Sequence, residues 1–345
     1  MKRALILGGT GAIGYAVARR LLDLGWRVEL TGRDPAHRPP DLPGASFAPV
    51  ARDDGEGMRA LLGGGAHLVV DCACYTARQA EALLPLLGDV GATVMISSKA
   101  VYVDAEGRHS NSRSAPRFDG PIREGQPTLA PSDAPFDSPE GYGANKAAAE
   151  AVLLESGLPV TVLRPSKVHG AWSRRPREWF FVKRVLDRRR PVVLVRGGRG
   201  VGHPSAAANI AALVECVAAL PGQRVLNVAD PDAPTALEMS RRVAAYLGWE
   251  FDEVLAEDSL PGTVGRHPWD APSPLVLDTS AAAALGYRPV GTYGETVAAE
   301  VDWLVRLAST GHPRWALPAA DDPFFARLFD YAAEDRYLRT RGGSG

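Results

Sequence analysis

Cysteine is scarce in this 345-residue chain: three thiols, Cys72, Cys74 and Cys216, are too few for a disulfide framework. Cys72 and Cys74 lie at the end of an apolar run and read as buried thiols. Charge imbalance is also missing. Lys and Arg number 39 against 40 Asp and Glu, a formal net charge of -1, which gives no global case for nucleic acid or an anionic membrane as partner. No apolar run is long enough to span a bilayer, and the basic start MKRALILGG runs into glycines rather than a cleavable signal. A soluble, cytoplasmic protein is expected. Internal repeats are absent. Lysine is rare, with only Lys2, Lys99, Lys146, Lys167 and Lys183 among the 39 basic residues. Where charge alone is needed the chain uses arginine, so lysines near a candidate site stand out as residues whose pKa moves readily. His169 and His203 have no Cys, Asp or Glu companion at ligand spacing, and no metal is expected.

What is present begins with Ala4 to Gly14, ALILGGTGAIG, followed by AVARRLLDLG: strand, tight turn, amphipathic helix. Gly8, Gly11 and Gly14 let the backbone turn sharply. With Ala12 and Ile13 they bring a helix N-terminus, with its free N–H groups and positive dipole end, up to a dinucleotide pyrophosphate. Short apolar runs then alternate with helical periods. Strands are predicted at 4–8, 27–31, 45–50, 67–72, 92–97 and 159–164, and helices near 12–24, 55–63, 76–88 and 140–156. The pattern is that of an α/β, Rossmann-type doubly wound parallel sheet over residues 1–170, completed by part of 203–229. From 171 to 340 the rhythm loosens into a smaller C-terminal α/β substrate domain: a basic helical stretch at 176–189, strands near 191–195 and 223–229, and a helix opened by the capping box Thr235 to Glu238. The tail RGGSG reads as a disordered or vector-derived end.

The end of the second strand bears on the cofactor. Enzymes that prefer NAD place an Asp or Glu there for the ribose 2′-hydroxyl; here the chain reads VELTGRD, with Gly32 at that position and Arg33 next. NADP is favoured over NAD, although a register slip that brought in Asp34 would restore NAD, and Arg33 as a solvated turn charge is the plainer alternative. The catalytic candidates lie in Ser97 to Tyr102 and Gly141 to Lys146. Tyr142 and Lys146 are four apart and share one helix face. An ammonium there favours the phenolate and lowers the tyrosine pKa toward working pH, while Ser98, at the carboxyl end of the fifth strand, reaches the same substrate oxygen.

Together GGTGAIG, VVDCACY, ISSKAVY, YGANK, VTVLRPSKVHG and LGYRPVGTYGETVAAEVDWL resemble the extended short-chain dehydrogenase/reductase family, the NAD(P)-dependent epimerase/dehydratase group, in a divergent branch. The resemblance covers most of residues 1–310. It implies that Tyr142 is the acid/base, that Lys146 also holds the nicotinamide ribose, and that Ser98 orients the reacting carbonyl. It further implies that Cys72 and Ala73 line the cofactor by backbone, with Arg164, Pro165 and Val168 at the nicotinamide edge. Departures narrow the chemistry: Lys99 and Ala100 stand where 4,6-dehydratases carry an Asp-Glu pair, so a 4,6-dehydratase is not expected. Lys167 stands where many epimerases carry an Asn that contacts the substrate diphosphate.

Two further stretches bear on substrate. Residues 103–139, rich in Pro, Ser and Gly, separate Ser98 from Tyr142 and read as a lid or substrate-contact loop, with a plain surface insertion as the alternative. From Arg174 to Arg199 there are ten basic residues against two acids, Glu178 and Asp187. They suit an anionic substrate, a nucleic acid or a solvated face, with Lys99, Lys167 and Arg184 as the substrate-binding candidates. The expected activity is hydride transfer at a carbinol or ketone carbon of a small polar substrate, in one reading a sugar nucleotide, by a one-way oxidoreductase or an epimerase, with a homodimer as a compatible assembly. The alternative is a non-catalytic cofactor-sensing or RNA-binding protein on the same fold, since the wording VVDCACYTARQAEALLPLL and RPSKVHG is close to a branch with plastid RNA-binding members.

Overall fold

A computed structural model describes residues 1–257, 260, 262–311, 317–318, 322 and 324–342. The apolar run RALIL forms β1 (Arg3–Leu7), and crossover connections lead on to β2 (Arg27–Thr31), β3 (Ser46–Ala48), β4 (Ala66–Asp71), β5 (Val90–Ile96) and β6 (Val160–Pro165). Between them run α1 (Ala12–Asp23), α2 (Gly55–Leu62), α3 (Ala77–Leu83) and α4 (Pro139–Leu154). After β6 come β7 (Val168–His169), α5 (Trp179–Leu186), β8 (Pro191–Leu194) and β9 (Ser205–Ala206), before α6 (Ala207–Ala219) and β10 (Arg224–Val228) return to the sheet. The rest comprises α7 (Ala236–Tyr246), β11 (Asp252–Leu255), α8 (Ser280–Ala284), α9 (Tyr293–Thr296), α10 (Ala298–Thr310) and α11 (Tyr331–Gly342).

The central sheet has seven parallel strands in the order β10-β6-β5-β4-β1-β2-β3. Both faces are covered, which is why its strands read as nearly continuous apolar runs. Alternate residues of β1 show the division: Ala4 and Ile6 pack with Val17, Leu21, Ile210 and Leu213 of α1 and α6. Leu5 and Leu7 pack with Met58, Leu83, Ala149 and Leu153 of α2, α3 and α4. A second core, with Phe180, Phe181, Trp269, Trp303 and Leu304, belongs to the C-terminal lobe, where β8 and β11 form a two-stranded parallel sheet.

Differences from the sequence reading fall at element ends. Edge strand β3 pairs only with β2 and keeps three residues of the expected 45–50. Helix α3 gives way at Pro85 to a 3₁₀ turn, Leu84–Leu86, because proline lacks the donor the next helical turn needs. The basic stretch is helical only from Trp179 to Leu186, ended by Arg188 at φ 54°. Thr235 and Glu238 make the reciprocal cap, with Glu238 N–H donating to Thr235 Oγ1 at 3.2 Å and Thr235 N–H to Glu238 Oε2 at 2.7 Å. At the tail, Arg341 is still in α11 rather than in a disordered end, while residues 343–345 lie outside those described.

Candidate functional site

The β1–α1 turn opens a cavity of about 680 Å³ at the carboxyl ends of the strands, the place where open α/β sheets bind ligands. Gly8 has φ 71°, a left-handed conformation that side chains resist. A Cβ on Gly14 would lie 2.5 Å from Gly9 Cα, so only glycine lets α1 start this close to the strand, whereas at Gly11 nothing stands within 4 Å and the backbone faces open space. Gly8, Gly11, Ala12, Ile13 and Gly14 line one wall, and Arg33, Cys72, Ala73 and Val168 the others. These residues fit a dinucleotide: a glycine cradle at a helix N-terminus for the pyrophosphate and strand ends for the rest. Pro165, Tyr142 and Lys146 do not line this cavity. Phe136 does, stacked on Tyr75 with centroids 5.4 Å apart.

At the end of β2, Arg33 lines the cavity and makes no side-chain hydrogen bond or ion pair among the described residues. Asp34 is turned to its own helical turn, accepting from Ala36 N–H at 2.9 Å and pairing with His37 at 3.3 Å. Arg52, also in the wall, is tied to Asp71 at 2.8 Å.

Helix α4 is started by Ser138, whose side chain accepts from Gly141 N–H, with Pro139 in the first turn. The glycines beside Tyr142 seat it closely: a Cβ on Gly141 would be 2.1 Å from Pro135 O and one on Gly143 2.3 Å from Ala100 O. Tyr142 is thereby brought near Ser98. Burial pushes the Tyr142 phenol up, and the Ser98 side chain and the charges of Arg177 and Arg175 oppose it. The expectation that Lys146 lowers this pKa is corrected. Lys146 Nζ donates to the carbonyls of Cys74 at 2.6 Å and Ile96 at 2.8 Å and lies 4.4 Å from the Tyr75 ring centroid, fastening the ends of β4 and β5. Arg164, expected at the nicotinamide edge, is buried and paired with Glu150, which also accepts from Ser97 Oγ. Cys74 is buried as expected, whereas Cys72 is only partly buried and lines the cavity; desolvation raises both thiols to about 12.

Beside Tyr142 lies a group of cations. Lys99 follows Ser98 in the 3₁₀ turn Lys99–Val101, and its ammonium has no hydrogen-bond or ion-pair partner among the described residues. Burial, with the charge of Arg177, pushes it down to about 7. Lys167, at φ 35°, donates to Pro268 O at 2.8 Å and is pushed well below the ordinary lysine value by burial, then by Arg177 and Lys99. The third substrate-binding candidate is corrected. Arg184 is fully buried and bound to Glu334 at 2.6 Å, Leu328 O at 3.1 Å and Phe180 O at 3.0 Å, so it faces the lobe core and no substrate. Nor is most of the remaining basic stretch an open patch: Lys183, Arg189, Arg190, Arg196 and Arg199 pair with Asp187, Asp335, Asp252, Asp270 and Glu257. Only local composition was visible in the sequence, and most of the neutralising acids arrive from elsewhere.

The loop 103–139 is largely fastened down. Tyr102 bridges Thr128 and Ile122 bridges Leu277, Ile122 is buried, and Asn227 Nδ2 donates to Ile122 O at 2.8 Å. His203 is satisfied on both nitrogens, by Asp230 O at 2.8 Å and Leu277 N–H at 2.9 Å. His169, in contrast, has acid companions after all: the fold brings Glu178 and Glu300 beside it, from the starts of α5 and α10, so that one ligand atom from each lies within 4.8 Å of the others. Sequence spacing could not show this. It also missed Arg177, which reaches Tyr142, Lys99 and Lys167 electrostatically; its one signal was membership of the basic run.

A family model described as the NAD dependent epimerase/dehydratase family matches residues 4–201, more than half of the chain. The chain belongs to this family. No curated protein matches the sequence. Among solved structures, the fold is similar to dTDP-glucose 4,6-dehydratase from Bacillus anthracis in complex with NAD, at TM-score 0.68 and 16% identity over 91% of this chain and 99% of that one. It is also similar to UDP-N-acetylglucosamine 4-epimerase from Methanobrevibacter ruminantium in complex with UDP-N-acetylmuramic acid, at 0.68 and 18% over 88% and 98%. A third is UDP-glucose 4-epimerase from Thermus thermophilus in complex with NAD, at 0.65 and 22% over 88% and 99%. Family membership accounts for the fold class, the Rossmann-type sheet with both faces covered. No described helix is long and apolar enough to cross a membrane.

Proposed function

We propose that this family member is an NAD(P)-dependent oxidoreductase or epimerase acting on a carbinol or ketone carbon of a small, polar, anionic substrate in the cytoplasm. The approach of the Ser98 side chain to the Tyr142 phenol carries the reading, because it puts two hydroxyls where one substrate oxygen can be held by both. Tyr142 passes the proton of that oxygen and Ser98 orients it, while Lys146, with two of its three donors on the Cys74 and Ile96 carbonyls, keeps one for the nicotinamide ribose. The bound coenzyme supplies or takes the hydride. Burial around the phenol demands a compensating positive charge when the proton leaves, and Arg177 and Arg175 stand on that side.

Lys99, Lys167 and Arg177 support an anionic substrate, since Arg177 bears on the pKa of both lysines and Lys99 on that of Lys167, and like charges gathered beside a site are relieved by an opposite one. A sugar nucleotide, such as the one in complex with the M. ruminantium protein, satisfies that requirement. Gly32 and the unpaired Arg33 support NADP over NAD, the coenzyme bound in the B. anthracis and T. thermophilus enzymes. Sugar elimination is not the proposed reaction: Lys99 and Ala100 follow Ser98, and neither is a carboxylate.

The test is single-turnover hydride transfer followed by nicotinamide absorbance on a panel of sugar nucleotides. Tyr142→Phe keeps the ring and loses the proton, so the rate should fall about a hundredfold or more with coenzyme binding retained. An unreduced rate would make Tyr142 an ordinary helix residue.

A further inference from the structure

His169, Glu178 and Glu300 are 1%, 2% and 0% exposed, and the two lobes of the molecule meet at them. His169 ends β7 beside the coenzyme sheet, while Glu178 stands at the start of α5 and Glu300 lies in α10 of the C-terminal lobe. Buried carboxylates are ordinarily paired. Here Glu300 Oε2 accepts from Gly170 N–H and Glu178 Oε1 from Tyr293 OH at 3.3 Å, but Glu300 Oε1 and His169 Nδ1 are buried with no hydrogen-bond partner among the described residues.

The histidine is oriented for a cation. Its Nε2 lies 2.8 Å from Asp230 Oδ2. The other Asp230 oxygen accepts from Ala206 N–H at 2.6 Å and Asn209 Nδ2 at 2.8 Å. An aspartate so surrounded by donors is an acceptor, which puts the imidazole proton on Nε2 and leaves the Nδ1 lone pair free. A carboxylate behind a histidine is the arrangement that fixes tautomer and ring orientation in metal centres. Three atoms no more than 4.8 Å apart have a common centre within about 2.8 Å of each. Zinc bonds to nitrogen and oxygen are about 2.0–2.2 Å, so the ligands need move inward by well under 1 Å. Glu178 and Glu300 both act on Arg177, and Glu178 also on Lys167, so the acids of the cluster have cations at its edge but none between them. A cavity of about 480 Å³ beside α1, α6 and α10 has His169 and Gly170 in its wall and offers a way in.

We propose that His169, Glu178 and Glu300 bind one divalent transition-metal ion, with zinc the best match to one nitrogen and two carboxylate ligands, and that the ion fastens the C-terminal lobe to the coenzyme sheet. Imidazole disfavours magnesium and calcium, and three protein ligands leave one position for water.

The experiment uses the whole chain, purified without chelator, and needs no substrate, so its outcome is independent of the reading of Tyr142. Metal content by mass spectrometry should be one zinc per chain. The stripped protein should bind Zn²⁺ and Co²⁺ saturably at one site, the cobalt form showing ligand-field absorption without a thiolate charge-transfer band. Glu300→Gln, which keeps shape and the Gly170 hydrogen bond, should weaken zinc at least about a hundredfold, more than the loss of an outer-shell partner does. His169→Gln should do the same, with circular dichroism and coenzyme binding reporting that both variants are folded. No saturable Zn²⁺ or Co²⁺ binding by the stripped wild-type protein would overturn the proposal and leave a carboxyl pair that shares a proton. So would unchanged zinc affinity in folded Glu300→Gln, or a thiolate band, which would move the ion to the cysteines.

Discussion

The coenzyme sheet and the C-terminal lobe satisfy their polar groups with a different emphasis, although the sheet half has ion pairs of its own, Arg164 with Glu150 and Arg52 with Asp71. In the sheet half, Lys146 is satisfied by two main-chain carbonyls at strand ends, and the dinucleotide turn is shaped by glycine backbone. In the lobe the partners are charged side chains from distant positions: Arg184 with Glu334, Arg196 with Asp270, Arg189 with Asp335. Ten basic residues in one short stretch look like a surface for an anion until the chain folds and supplies acids. A run of like charge in sequence is therefore no measure of the field it produces, whereas three cations from separate segments, Lys99, Lys167 and Arg177, do converge.

The contrast breaks most visibly at Arg184. Arg184→Ala leaves the Glu334 carboxylate buried with one guanidinium fewer, so unfolding in urea should show a loss of about 3–5 kcal/mol, much of it recovered when Arg184→Met is combined with Glu334→Leu. An unmoved midpoint in the single variant would mean that the lobe does not depend on this pair. In the sheet half, Arg33→Ala should weaken NADPH about tenfold to a hundredfold by removing one charge-assisted contact and leave NADH unchanged. Calorimetry with both coenzymes decides it, and equal wild-type affinities would refute the NADP preference.

A smaller effect is expected at Lys99, whose amine is held at about 7 rather than 10.5 by burial and Arg177, with Lys167 and His203 also near it. Its folded-state pKa is depressed, so the unfolded chain carries more protons between those values, and stability gains from this group as pH rises through that window. Lys99→Met should therefore stabilise the protein most below pH 7, with the gain fading toward pH 10.5; a pH-independent shift in melting temperature would point to packing instead. Smallest of all is Arg190→Ala. Its pair with Asp252 spans 3.2 Å with both side chains more than half exposed, where water and salt screen the attraction. The urea midpoint should stay where it is, and a clear shift would show that this surface pair does contribute to the lobe.

Much of the sheet was legible because its signals are local. Leu5, Ile6 and Leu7 are a buried parallel strand whatever lies far away, Gly8 and Gly14 mark a turn that only glycine closes, and Thr235 and Glu238 cap each other across three residues. The place of Arg33 in the cavity was readable in the same sense, from its position directly after Gly32 at the end of β2. The rest was illegible because it depends on contacts between distant segments. Nothing near Arg184 in sequence announces Glu334, nothing near His169 announces Glu300, and the carbonyls that occupy Lys146 exist as a pair only once β4 and β5 lie side by side.

The late return of α6 and β10 to the sheet has a consequence for how the protein is made. Helix α6 covers the same face of β1 as α1 does, with Ile210 and Leu213 against Val17 and Leu21, and Arg20 reaches Glu215 across the two helices. Until the ribosome has delivered the chain as far as Val228, that apolar face of the nascent sheet has only part of its cover. Contacts so far apart in sequence form slowly, and exposed strand surface in the interval is a substrate for aggregation or for a chaperone.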